Sequence, residues 1–195
     1  MNRRARWSMR LRWVTVGMVA LGAVGCGGGN ISNPPETTGQ SLSFTYYQKC
    51  IDPVLQAQLQ VNQGGSISTN SCAGSGCHSS VNGTGGALRL VQGAAPVPAG
   101  TAVDAVRASD MYKNFFSSQG SSIPGSPTES RMLKKPLVQG VLHGGGLIFT
   151  NTSDPNARLI QYWISRPAPA GQDEFANADS MFTPANAATG TCNTS

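Results

Sequence analysis

The sequence predicts a mainly α, small helical domain with long Gly/Ser-rich loops. Three observations carry that expectation. Apolar residues recur at helical spacing in several separate stretches. Cap residues followed by proline or an acid mark where such stretches begin. Gly, Ser, Asn and Thr crowd the segments between them, favouring turns over regular structure.

Taken in order, residues 42–60 place Phe44, Tyr47, Ile51, Leu55 and Leu59 on helical rows, with Pro53 marking a kink or a break capped by Asp52. Residues 62–86 read as loop, and 86–91 as a short extended piece. Residues 101–118 open with Thr101 and Asp104 at capping-box spacing and align Val103, Val106, Met111 and Phe115. "SPTESRMLKKPL" gives a short helix with Ser126 as cap, Pro127 at its first position, Glu129 bonding back and Pro136 as stop. "DPNARLIQYWISRP" repeats the logic between Asp154 and Pro167, pairing Leu159 with Trp163 and Ile160 with Ile164. Residues 168–195 show no periodicity and form a C-terminal tail docked on the 41–167 domain.

The N-terminus carries Arg3, Arg4, Arg6, Arg10 and Arg12, then an apolar run over 13–24 and small residues before Cys26. That is the plan of a secretory signal over 1–25, too short for a comfortable membrane span. "AVGC" resembles the lipobox of bacterial lipoproteins, with Ala23 where leucine is usual. The resemblance implies a lipid on Cys26, a tether over 26–40 and a site on the periplasmic face of a bacterial membrane. Gly27 offers no inner-membrane retention signal, which favours the outer membrane. Ordinary cleavage, releasing a soluble protein, is the alternative. Of 14 Lys+Arg and 9 Asp+Glu, five arginines precede Cys26, so the mature chain is formally neutral. The basic balance therefore belongs to targeting, and no cationic stripe supports nucleic-acid binding.

The chemistry centres on "NSCAGSGCHSSVNGTGG". Cys72 and Cys77 have four residues between them, and His78, one of two histidines, follows at once. Zinc would need two further ligands at short spacing, which the chain lacks. A local Cys72–Cys77 disulfide is sterically possible but leaves His78 unexplained. Haem attachment uses all three residues: each thiol adds to a vinyl group, and the adjacent imidazole reaches the iron. Gly74 and Gly76 absorb the widened spacing.

Here the chain resembles the c-type cytochromes, particularly bacterial members with a widened C-x(4)-C-H motif. A helix before the motif, a Gly-rich loop after it and a late helix with a buried Trp extend the likeness over residues 42–167. "VLHGGGLIF" resembles a string found in exported cytochrome-like domains. The resemblance implies a cytochrome c-like fold and one covalently attached haem c on Cys72 and Cys77. It makes His78 and His143 the iron ligands, with Met132 the rival for the sixth position and Met111 a weaker one; the alternative for His143 is a hydrogen-bonded, partly buried histidine or a turn residue. Bis-His ligation implies a lower potential than His/Met. Arg89, Arg107, Lys134 and Lys135 are candidate propionate partners, with exposed surface charge as the alternative.

With Cys26 lipidated and Cys72 and Cys77 occupied, parity leaves Cys50 and Cys192 as a disulfide. The functional expectation is an envelope-tethered electron carrier with periplasmic redox partners; if His143 does not ligate iron, an open sixth position leaves enzymatic or sensory activity as a further reading. No acid/base pair or nucleophile triad is visible. A non-redox, disulfide-stabilised lipoprotein acting as a binding or structural module is the alternative.

Overall fold

Pro53 does not break the first helical stretch. In the computed structural model, which describes residues 40–176 and 178–195, α1 (Phe44–Tyr46) runs into a π-helical turn (Tyr47–Ile51). That turn continues directly into α2 (Asp52–Gln56). Proline has no N–H to answer the Lys49 carbonyl in an α-helical bond. Widening the turn resolves this, with the Asp52 N–H donating to Tyr47 O five residues back. Asp52 is therefore no cap, contrary to the expectation from sequence. Its carboxylate is buried and accepts from Asn114 Nδ2 at 3.0 Å, Gln56 Nε2 at 3.4 Å and Tyr47 OH at 3.4 Å.

The helix also ends earlier than its apolar spacing suggests. Leu59 begins a strand, β1 (Leu59–Gln63), paired antiparallel with β2 (Ser66–Asn70) in register Gln63↔Ser66. Gly64 and Gly65 both take positive φ, as a two-residue hairpin turn requires. Val61 is the only buried residue of the hairpin, so packing beneath it is thin. The hairpin is also attached by a bridge from Asn62 to Leu147 and by Gln63 Nε2 donating to Gly144 O.

Four further helices follow: α3 (Val103–Ala108), α4 (Asp110–Gly120), α5 (Arg131–Lys134) and α6 (Pro155–Ser165). Ser109 splits the expected 101–118 helix, its side chain capping α4 through the Tyr112 N–H, while Thr101 bonds to Pro98 O instead of capping α3. Similarly, "SPTESRMLKKPL" forms a 3-10 turn (Pro127–Glu129) and then α5. Ser126 makes no side-chain cap, and buried Ser130 ties the join through Ser126 O and the Ile123 N–H. Asp154 caps α6 as expected, accepting from the Asn156 and Ala157 N–H groups, with Pro155 at the first position.

The core gathers the first helical stretch, α4 and α6. Tyr47, Phe115 and Trp163 form its centre with ring centroids 5.4–6.3 Å apart, and Phe44 joins them edge-on against Phe115. Trp163 is fully buried and its indole N–H donates to Ser43 O at 3.0 Å.

The tail wraps this core. Glu174 O accepts from the Phe44 N–H, and its carboxylate takes Arg107 at 2.9 Å and Tyr112 OH at 2.7 Å. Beyond a 3-10 turn (Ala178–Met181), β3 (Phe182–Thr183) pairs with β4 (Thr191–Cys192). Phe182 packs on Tyr46, and Cys192 is disulfide-bonded to Cys50 with Cα atoms 5.9 Å apart.

Helical turns of all kinds cover 34% of the described residues and strands 11%. The mainly α, cytochrome c-like fold expected from the sequence is thus overturned. The structure is a mixture of short helices, two small two-stranded sheets and long hydrogen-bonded loops. The apolar stretches are real, but Ser109 and Ser130 cut them into pieces of one to three turns, and the hairpin takes the end of the first.

The disulfide closes a separation of 142 residues, worth about 5 kcal/mol in the chain-entropy account. The double variant Cys50→Ser/Cys192→Ser is expected to lose about 2–5 kcal/mol of unfolding free energy in urea titrations. An unchanged midpoint would show that the tail is held by packing alone.

Candidate functional site

The cysteine motif folds as a string of tight turns rather than a helix or strand. The Gly74 N–H donates to Ser71 O, the Cys77 N–H to Gly74 O, and the His78 N–H reaches back to Cys72 O at 2.9 Å. Gly76 takes φ +79°, and a Cβ on Gly74 would collide with Asn70 Oδ1, so each glycine between the cysteines is required for a different reason. The following loop folds back over the motif, with the Gly85 N–H donating to Cys77 O at 2.7 Å. A Cβ at Gly85 would stand 2.6 Å from both Cys77 O and His78 Nδ1, so glycine there lets the backbone lie directly against the imidazole.

The 88–91 segment supports His78 from the other direction. Leu88 O lies 3.1 Å from His78 Nδ1. The Leu90 N–H donates to His78 O, and Leu90 O accepts from Ser80.

His143 arrives on a separate loop. Its Nδ1 lies 2.7 Å from Gly146 O. The loop is pinned to β1 by paired Asn62–Leu147 backbone bonds of 2.9 Å each, and Gln63 Nε2 donates to Gly144 O at 2.7 Å. The three glycines after His143 are not equivalent. Gly144 faces open space, Gly145 lies against the His143 ring, and Gly146 has φ +74° with its Cα against the Asn62 carbonyl.

The two imidazoles are close neighbours with nearly parallel planes. Their ring centroids are 6.3 Å apart and their planes differ by only 12°. Both Nδ1 atoms are tied to backbone carbonyls, which leaves Nε2 of each ring as the nitrogen open to a ligand among the described residues. Burial pushes both pKa values below the ordinary histidine range. For His78 the neighbouring His143 adds to this, for His143 Lys135 does, and the carbonyl bonds oppose it. Both rings are consequently neutral at pH 7, the form that binds metals.

Cys72 and Cys77 carry free thiols. Burial, with Cys77 nearby, pushes the Cys72 thiol up to about 11, and burial also raises Cys77. Cys72 packs against the main core.

Other sequence candidates lie elsewhere or are engaged. Met132 and Met111 are buried in the hydrophobic core on α5 and α4. Arg107 pairs with Glu174 and Lys134 with Glu129, while Arg89 donates to Gly83 O and Lys135 to Leu142 O. Cys26 lies outside the described residues. Three contributors escaped the sequence reading: the β1–β2 hairpin that carries the His143 loop, the Leu88 carbonyl on His78, and Asn114. Only the hairpin had a signal, the Gly64-Gly65 pair between two short polar-apolar runs.

No protein-family model matches the chain, and neither curated proteins nor solved structures show a significant match to it. Among the described residues, no group of three or more His, Cys, Asp and Glu side chains is placed to hold a metal ion, and no helix is long and apolar enough to cross a membrane.

Two contrasts test this geometry. Gly146→Ala is expected to destabilise by about 2 kcal/mol or more, through left-handed backbone and the Asn62 contact. Gly144→Ala, facing open space, should stay within about 0.5 kcal/mol in the same urea titration. In the protein without cofactor, alkylation at pH 8.5 followed by peptide mass mapping should label Cys77 before Cys72. NMR titration midpoints for both histidines should fall below about 6.5.

Proposed function

We propose that this protein is a monohaem c-type electron carrier. In this reading Cys72 and Cys77 hold the porphyrin as thioethers, and His78 and His143 ligate the iron. The observation that carries it is the pair of parallel imidazoles at 6.3 Å, each with Nε2 open to a ligand among the described residues. Metal–imidazole bonds are about 2.0–2.1 Å for zinc, so a centroid spacing of about 6 Å is compatible with His78 and His143 each holding one ion through Nε2 in the ring plane. The residues present fit the group. Two protein ligands alone would under-coordinate a bare ion, whereas a porphyrin brings four nitrogens of its own. The proposal rests on this site and not on the fold, which is not mainly α.

Haem supplies a one-electron ferric/ferrous couple when bound. The chain's own work is positional. Leu88 O and Gly146 O fix the tautomer and orientation of the two histidines. Gly85 and Gly145 keep the backbone close to the rings without a side chain between. Val81 and Leu142, near the histidines in sequence, are 92% and 90% exposed, apolar surface suited to a flat apolar group. Two imidazoles favour ferric iron more than an imidazole and a thioether do, which places the potential at the low end for this class. The N-terminal segment supports export, with a lipid on Cys26 holding the carrier to the periplasmic face of a bacterial outer membrane, where redox proteins are its partners.

The test is to produce the full chain exported alongside haem-maturation machinery, denature it and look for haem on the polypeptide. Haem should stay bound, with a mass increase of one haem. His143→Ala should convert a six-coordinate low-spin spectrum to a high-spin one, and Met132→Ala should leave it unchanged. A colourless polypeptide with Cys72 joined to Cys77 would instead make this a disulfide-stabilised binding or structural module.

A further inference from the structure

The segment that supports His78 is held along its opposite edge by one face of α4. Asn114 is fully buried. Its Oδ1 accepts from the Val91 N–H at 2.6 Å, and its Nδ2 donates to Val91 O and to Asp52 Oδ1 at 3.0 Å each. Ser117, three residues on and therefore on the same helix face, accepts from the Arg89 N–H at 2.7 Å. Residues 88–91 thus form a two-edged strip. The backbone groups of Arg89 and Val91 meet α4 side chains, while those of Leu88 and Leu90 meet His78 and Ser80. That alternation is what extended backbone gives. A helix has replaced the neighbouring strand, its side chains supplying the ladder.

We propose that Asn114 and Ser117 are positioning residues for His78, setting how firmly the Leu88 carbonyl holds the Nδ1 proton. The inference rests on reading His78 as an iron ligand. A hydrogen bond at Nδ1 raises the electron-donating power of Nε2 and so favours ferric iron. Releasing the strip lengthens that bond and favours the ferrous state. A structural role for α4 alone would change stability and leave the redox balance where it was.

The experiment compares wild type, Asn114→Ala, Ser117→Ala, Ser117→Thr and Phe116→Ala as purified full-length holoproteins, with bound haem quantified first in every sample. At one fixed applied potential, the ferrous-to-ferric ratio should rise about tenfold in Asn114→Ala and less, in the same direction, in Ser117→Ala. Ser117→Thr keeps the hydroxyl and should restore the wild-type ratio. Phe116→Ala, on the exposed side of α4, should leave it unchanged. Unaltered ratios in Asn114→Ala and Ser117→Ala, with haem bound, overturn the proposal. Should Asn114→Ala not fold, the Ser117 pair decides it.

If no sample carries haem, it is the electron-carrier reading that has failed. The positioning claim is then decided on the same chains by nitrogen NMR of His78. A single Nδ1–H tautomer in wild type that becomes a mixture in Ser117→Ala supports it, and an unchanged single tautomer overturns it.

Discussion

A buried carboxylate must be answered by donors, and meeting that demand at Asp52 organises the molecule. Burial raises its pKa above the ordinary Asp range, and the Asn114, Gln56 and Tyr47 hydrogen bonds pull against that shift. Each donor leads somewhere else. Tyr47 stands in the aromatic centre and takes a bond from Ser118. Gln56 Nε2 and Asn114 both reach Val91 O, from the end of the first helical stretch and from α4. One carboxylate therefore ties two helices to the strip that backs His78. The position is available only because the π-helical turn carries the chain through Pro53 and buries Asp52, where a cap would have left it at the surface.

The site is the meeting of two loops that share almost nothing else. His78 is enclosed by its own turns, by the fold-back at Gly85 and by the 88–91 strip. His143 depends on the edge of a thinly packed hairpin. Their local environments nonetheless converge on the same chemistry: half-buried neutral imidazoles with Nδ1 committed to a carbonyl. Producing that arrangement twice from loops takes glycine at positions where a Cβ would strike a ring or a carbonyl. Gly85, Gly145 and Gly146 are explained by those close approaches, whereas most of the other described glycines face open space.

What the sequence made legible followed from local rules. Asp154-Pro155 announced the start of α6, and the Gly-rich motif announced turns. Cys72, Cys77 and His78 declared themselves by adjacency, and His143 by standing amid apolar residues and glycines. Cysteine parity pointed to Cys50 and Cys192, and the two are bonded. The fold class was misread because helical periodicity shows which residues share a face but not where a helix stops. Ser109 looks like any polar position in a helix until its side chain caps the next one. Asn114 gave no signal at all, since a buried amide pairing with a distant backbone has the same letter as a solvated one. Asp52 gave a misleading one, because Asp before Pro usually begins a helix.

The Cys50–Cys192 bond has a consequence beyond stability. It closes a covalent ring that contains both histidines and the free cysteines Cys72 and Cys77. Val81 and Leu142, the most exposed large apolar residues among the described residues, sit on loops inside that ring. A protease cutting at either one releases nothing: the severed pieces stay one molecule until a reductant reaches the sulfur–sulfur link. In an oxidising compartment, clipped and intact chains would have the same mass apart from the water of hydrolysis, and only a reducing gel would tell them apart.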